Sequence, residues 1–206
     1  SNSSTEQGGG VSIEGLPGNN IDLDFNRLTV QENTSATVGG GIYLYISKLN
    51  LSREFLMKNS ASTKGGGISI EWDSDLTIEN SFILGNTLTA GDQGSNIYIG
   101  KSDQIIGSTE KLQAININVI DTVSSNISMY SNGLIKPLLI NSINVGKLDA
   151  AVPTYNFDLN YSYCDDCTNL LTFTTNPGNL TGDLPFIDMD KDCLLYTSDA
   201  ADDMFR

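Results

Sequence analysis

Apolar residues in this chain alternate with polar ones in short runs, and the runs recur. Val11/Ile13, Ile42/Leu44, Ile68/Ile70 and Ile97/Ile99 each bracket one residue, in turn Ser12, Tyr43, Ser69 and Tyr98. A period of two puts alternate side chains on opposite faces of an extended chain, so each run predicts a short β-strand with an aliphatic inner face. A second strand per copy is predicted from Ile21/Leu23, Leu49/Leu51 and Leu76/Ile78, and a third near Leu28/Val30, Phe55/Met57 and Phe82/Leu84.

A motif phases these runs. Glycine triplets stand at Gly8–Gly10, Gly39–Gly41 and Gly65–Gly67, each with an asparagine six residues before its first glycine: Asn2, Asn33 and Asn59. A degenerate fourth copy, two residues longer, runs from Asn86 to Gly94. The Asn-to-Asn spacings are 31, 26 and 27 residues, within the ~20–45-residue period of stacked solenoids. Three short strands per coil predict an all-β fold, a right-handed parallel β-helix whose coils stack about 4.8 Å apart. Period-two alternation and the Ile, Thr and Tyr content exclude a helical solenoid. A β-sandwich would not need the same Asn-to-Gly offset three times.

The glycines are expected at tight corners, where the backbone takes positive φ or another strand passes close. A phosphate cradle needs a helix after the glycines, and here a strand follows. Asn33, Asn59 and Asn86 are expected to stack as an inward ladder whose amides bond the corner backbone. The aliphatic rows would face in. Ser12, Tyr43, Tyr45, Ser69, Glu71 and Tyr98 would form an exposed outer strip, on which tyrosines can stack against sugars or partner side chains.

At these residues the chain resembles the pectin-lyase-like β-helices, especially repeats of the polymorphic outer-membrane-protein type. Those repeats carry a Gly-Gly-Ala-Ile-like motif and a Phe-x-x-Asn motif. Gly39-Gly40-Gly41-Ile42 and Gly65-Gly66-Gly67-Ile68 stand for the first. Val30-x-x-Asn33, Leu56-x-x-Asn59 and Ile83-x-x-Asn86 stand for the second, with an aliphatic in place of Phe. The resemblance covers about residues 1–100. It implies a secreted or cell-surface protein with a structural or adhesive role, binding a protein or glycan ligand. The membrane-spanning barrel of the bacterial members is not seen, so membrane anchoring is not visible here.

Residues 1–104 are thus expected to form β-helix coils. Residues 105–152 keep alternating patterns at Ile115–Ile120 and Leu138–Val145 without the motif, and read as degenerate coils or a cap. Residues 153–192 form a less regular, loop-rich segment containing two cysteines and many aspartates. The run from Cys193 to Asp203 resembles the in-frame translation of a transposase-type sequencing adapter, so 193–206 are expected to be a library artefact. Ser1, in a Ser-rich stretch, suggests an internal fragment.

Charge narrows the function. The 206 residues hold 25 acids, 11 bases and no histidine, for a net charge of −14. That balance excludes nucleic acid as a partner, since phosphate neutralisation needs clustered Lys and Arg. The absence of histidine removes His-based general bases and metal ligands. No apolar run approaches the ~20 residues of a membrane-spanning helix.

Few residues remain for chemistry. Of six sequons, Asn2 and Asn33 are expected to turn inward, leaving Asn50, Asn126, Asn160 and Asn179 as glycosylation acceptors. Cys164-Asp165-Asp166-Cys167 lacks two further ligands for zinc, and its aspartates oppose a reactive thiolate, so a structural disulfide is expected, either local between Cys164 and Cys167 or to cysteines lost by truncation. Asp188, Asp190 and Asp192 have the alternation that opens a Ca²⁺ loop. Glu71, Asp73 and Asp75 form a second acidic cluster. The resemblance allows an alternative there, a polysaccharide lyase or hydrolase using Asp73 and Asp75 with Ca²⁺.

Overall fold

The computed structural model describes residues 1–100, 110–121, 127–132, 135–151, 157–166 and 180–181. These residues form an all-β parallel β-helix, with no helix among them. Each early coil carries four strands rather than three. A front face stacks Val11–Glu14, Ile42–Tyr45, Ile68–Glu71, Ile97–Ile99 and Ile127–Ser131, every neighbour parallel. A side face stacks Ile21–Asn26, Ser47–Ser52, Asp75–Glu79, Lys111–Ile115, Leu138–Ile140 and Asp158–Asn160. A back face stacks Thr29–Gln31, Phe55–Met57, Phe82–Leu84 and Asn118–Ile120. The unforeseen fourth face is a stack of two-residue strands after each asparagine: Ser3–Ser4, Thr34–Ser35, Ser60–Ala61 and Thr87–Leu88.

The predicted front-face register holds, with Val11, Ile42, Ile68 and Ile97 as successive partners. On the side face it slips by two residues in the first coil. Ile21 pairs with Ser47, so the inner rows are Leu23–Leu49–Leu76 and Phe25–Leu51–Ile78. On the back face the core residues are Val30, Leu56 and Ile83. Phe55 and Phe82 point the other way and stack on each other, centroids 5.3 Å apart and planes at 6°. Alternation names the two faces of so short a strand but does not say which is inside. The three rows fill one continuous core, each buried Ile or Leu contributing about 1.5–3 kcal/mol over an exposed one.

One corner shows why three glycines are needed. Gly39 has φ +65, where a side chain would be strained. A Cβ on Gly40 would lie 2.3 Å from the Ser60 carbonyl oxygen and 2.4 Å from that of Gly66. A Cβ on Gly41 would lie 3.0 Å from Asn59 Nδ2, in the space the ladder asparagine fills.

The ladder itself is present. Asn59 Nδ2 donates to Val30 O at 2.9 Å and to Asn86 Oδ1 at 3.0 Å. Asn59 Oδ1 accepts from the backbone N–H and Nδ2 of Asn33, both at 3.0 Å. Asn86 passes the chain of amides to Asn96, which occupies the third glycine position of the degenerate copy, and Asn96 Nδ2 ends it on Ser128 Oγ at 3.0 Å. Asn2, expected to turn inward, is exposed at the end coil.

After Thr87–Leu88 the fourth face adds no strand among the described residues. Further on, the strand Ile143–Ala150 runs through where a corner would be. Its first half pairs with Asn118–Ile120 of the back face and its second with Ile127–Ser131 of the front face. The two faces thereby join into one sheet. Asn144 Nδ2 bonds the Gly146 carbonyl at 2.7 Å, and Gly146 takes φ +111. A bend remains where the full Asn-to-Gly motif is missing.

Candidate functional site

The outer row of the front face is not the exposed strip expected. Tyr43 is 5% exposed, Glu71 7%, and Ser69 and Tyr98 0%. Tyr45 is half-buried, and only Ser12 is open. The long side chains lie down over the sheet and cover one another. Tyr98 stacks on Tyr130, its partner on the next strand, at 6.0 Å and 6°. Lys64 Nζ sits 4.8 Å from the Tyr98 ring centre and donates to its hydroxyl at 3.4 Å. Ser69 Oγ donates to Glu71 Oε1 at 3.1 Å.

Electrostatics follow from that burial. Burial pushes the Glu71 carboxyl above its ordinary value; Lys64 and the Ser69 hydroxyl pull it back, and Glu110 raises it further. Burial, then the charges of Glu71 and Glu14 and neighbouring Tyr45, push the Tyr43 hydroxyl well above the usual phenol range. Glu110 follows Ser47 and Ser74 along the front-to-side corner. It is fully buried, and neither carboxylate oxygen has a hydrogen-bond partner.

The row reaches solvent at that corner. Tyr45 packs against Trp72, centroids 5.7 Å apart and planes at 49°, both half-buried. Tyr45 lies between Glu14 and Glu71 on the adjoining strands. Trp72 and Asp73 turn the corner with φ of 51° and 52°. Spacing alone could not have singled out Trp72, because it stands one residue beyond the repeating strand.

The side face accounts for Asp75. Asp22, Lys48, Asp75 and Lys111 are successive partners, an outward ladder of alternating charge. Lys48 Nζ is 3.5 Å from Asp22 and Lys111 Nζ 3.7 Å from Asp75. Asp75 thus serves as a counter-ion, while Asp73 lies exposed at the corner. Among the described residues no group of three or more His, Cys, Asp or Glu side chains is placed to hold a metal. Beside the ladder runs an open groove of about 360 Å³, with Asp24, Asn26, Asn50, Ser52, Thr77 and Glu79 over Phe25 and Leu51. Asn50 Nδ2, the atom a glycan would take, donates to Asp24 Oδ1 at 2.6 Å.

Cys164 is fully buried and disulfide-bonded; Cys167, the local partner expected from sequence, lies outside the described residues. So do Asn126, Asn179, Asp188, Asp190, Asp192 and the adapter-like 193–206. Asn160 ends the strand Asp158–Asn160, half-buried, its carbonyl accepting from the Asn141 N–H. Compared with protein-family models, curated proteins and solved structures, the chain matches none.

Proposed function

We propose that the chain is part of a secreted or cell-surface β-helix protein with a structural and adhesive role, binding a protein or glycan surface. The observation that carries this reading is the Tyr45–Trp72 pair, aromatic surface held at a corner of a rigid stack. Large, stiff rings gain contact area at low entropic cost. The disulfide at Cys164 favours an oxidising compartment. The pectin-lyase-like, polymorphic outer-membrane-protein affinity rests on the Asn and Gly-Gly-Gly motifs. The enzymatic alternative is disfavoured because Asp75 is already engaged by Lys111.

Two assays separate the readings. Labelled protein should bind cells or a glycan array, and Tyr45→Ala with Trp72→Ala should abolish that binding. Acidic polysaccharides should yield no unsaturated product, with or without Ca²⁺. Cleavage lost in Asp75→Ala would overturn the adhesive reading.

A further inference from the structure

The first coil takes the front-to-side corner differently from the others. Between Glu14 and Ile21 it spends six residues, Gly15–Asn20, where the next coil uses Ile46 alone and the third uses Trp72–Ser74. The stack therefore does not require the extra residues to turn. They form a closed β-turn: Leu16 N–H donates to Asn19 O at 3.2 Å and Asn19 N–H to Leu16 O at 2.8 Å. Pro17 fixes one central φ and Gly18, at +79, supplies the other. The result holds Leu16 out at 67% exposure, with Ile21 at 36% on the far side of the turn. Gly15 N–H bonds Tyr45 O at 2.8 Å and Ile46 N–H bonds Trp72 O at 2.9 Å, so this turn, Tyr45 and Trp72 share one corner.

Around this apolar and aromatic surface carboxylates outnumber the bases. Residues 1–26 hold Glu6, Glu14, Asp22 and Asp24, all exposed, and no Lys or Arg. On the side face Lys48 and Asp22 pair with each other. Glu14, exposed, is the partner of Tyr45 on one adjoining strand, while Glu71 on the other is buried and held by Ser69 and Lys64. Such a setting attracts an ammonium or guanidinium by both ring and carboxylate. It repels anionic membranes and acidic glycans, and aliphatic Leu16 and Ile21 offer a sugar little to stack on.

Resting on the adhesive reading, we propose that this corner is a protein-docking site. Its occupant is a segment of another protein that places an apolar side chain on Leu16 and Ile21 and a Lys or Arg against Tyr45 and Trp72. The turn holds Leu16 in place before the partner arrives, which lowers the ordering cost of binding.

The chain contains one tryptophan, so Trp72 emission reports on this corner directly. The probe is the peptide acetyl-Lys-Leu-Lys-Leu-Lys-amide, titrated into the full chain, with acetyl-Lys-Ser-Lys-Ser-Lys-amide as its charge-matched companion. We expect a saturable shift of Trp72 emission with the first. Leu16→Ser, in an exposed turn that leaves the core untouched, should weaken that binding about tenfold, the loss of one half-buried leucine contact. It should leave the weak binding of the companion unchanged. Silence of Trp72, or equal binding by wild type and Leu16→Ser, overturns the docking site. Cell binding that survives Leu16→Ser would then leave the adhesive role standing, whereas polysaccharide cleavage overturns the adhesive role whatever Trp72 reports.

Discussion

Replacing Asn59 by Ala tests what holds the coils at their sharpest corner. Asn59 is fully buried and its side chain makes four hydrogen bonds. Removing it leaves the backbone N–H and Nδ2 of buried Asn33 without acceptors and the Val30 carbonyl without this donor. Asn86 Oδ1 keeps the Asn59 backbone N–H at 2.9 Å, so it is not orphaned. A buried polar group left unpaired costs about 1–3 kcal/mol, so the two Asn33 donors give about 2–6 kcal/mol. That is a large share of the ~5–15 kcal/mol of a typical domain. The same change at Asn33 costs much less, because the N–H its Oδ1 serves belongs to Asn2, which is exposed and can turn to water; about 1 kcal/mol is expected. Urea unfolding followed by far-UV circular dichroism would measure both. The midpoint should fall far more for Asn59→Ala than for Asn33→Ala, with the slope unchanged. Equal losses, or a loss below about 1 kcal/mol at Asn59, would show that the amides are not the partners the corner depends on.

Other consequences can be checked on the same instrument. Glu54 is 1% exposed and burial raises its carboxyl above the ordinary value, with backbone N–H groups of Leu28, Ser52 and Arg27 partly offsetting this. A carboxyl raised in the fold favours folding when protonated, so its contribution is fully present below the unfolded value near ~4.3 and is lost as pH rises through the folded one. Glu54→Gln should therefore flatten the fall of the urea midpoint between mildly acid and neutral pH, and an unchanged pH slope would refute the assignment. Gly66→Ala would press a Cβ to 2.3 Å from Thr87 O and 2.4 Å from Ser95 O, both backbone atoms; a loss of about 1–3 kcal/mol or more is expected, read as a lowered melting temperature. Asp75→Asn breaks a solvent-exposed pair with Lys111 and should cost ~1 kcal/mol or less, shrinking further in high salt.

Much of this architecture was legible in the chain because its local rules repeat. A period of two fixed the strands, and the Asn-to-Gly offset fixed the coil. The same offset placed Asn33, Asn59 and Asn86 in one ladder, since side chains one coil apart must stack. Two things did not follow from pattern. On the back face, Phe55 and Leu56 are both apolar, so composition could not say which one faces in. The exposure of Tyr43, Glu71 and Tyr98 could not be read either, because a strand's outer face is open or closed according to what its neighbours lay across it. Lys64 and Tyr130 do that to Tyr98 from the coils on either side, while Ser69 bonds Glu71 within its own strand.

The candidate site divides in the same way. Pro17-Gly18 marks a turn in any sequence, and the first spacing of 31 residues against 26 marks an insertion. Only the stack puts that turn beside Tyr45 and Trp72. Asp73 and Asp75 stand two apart in sequence and looked like one cluster. The fold places Asp73 at an exposed corner and Asp75 in a ladder of alternating charge, because the chain turns between them. The sequence alone determined the repeat, the strands and the need for glycine at each corner, all properties of residues near one another along the chain. Tertiary structure decided which polar groups are buried, which charges are paired and which aromatic rings meet solvent, since those depend on contacts between coils about 26 residues apart.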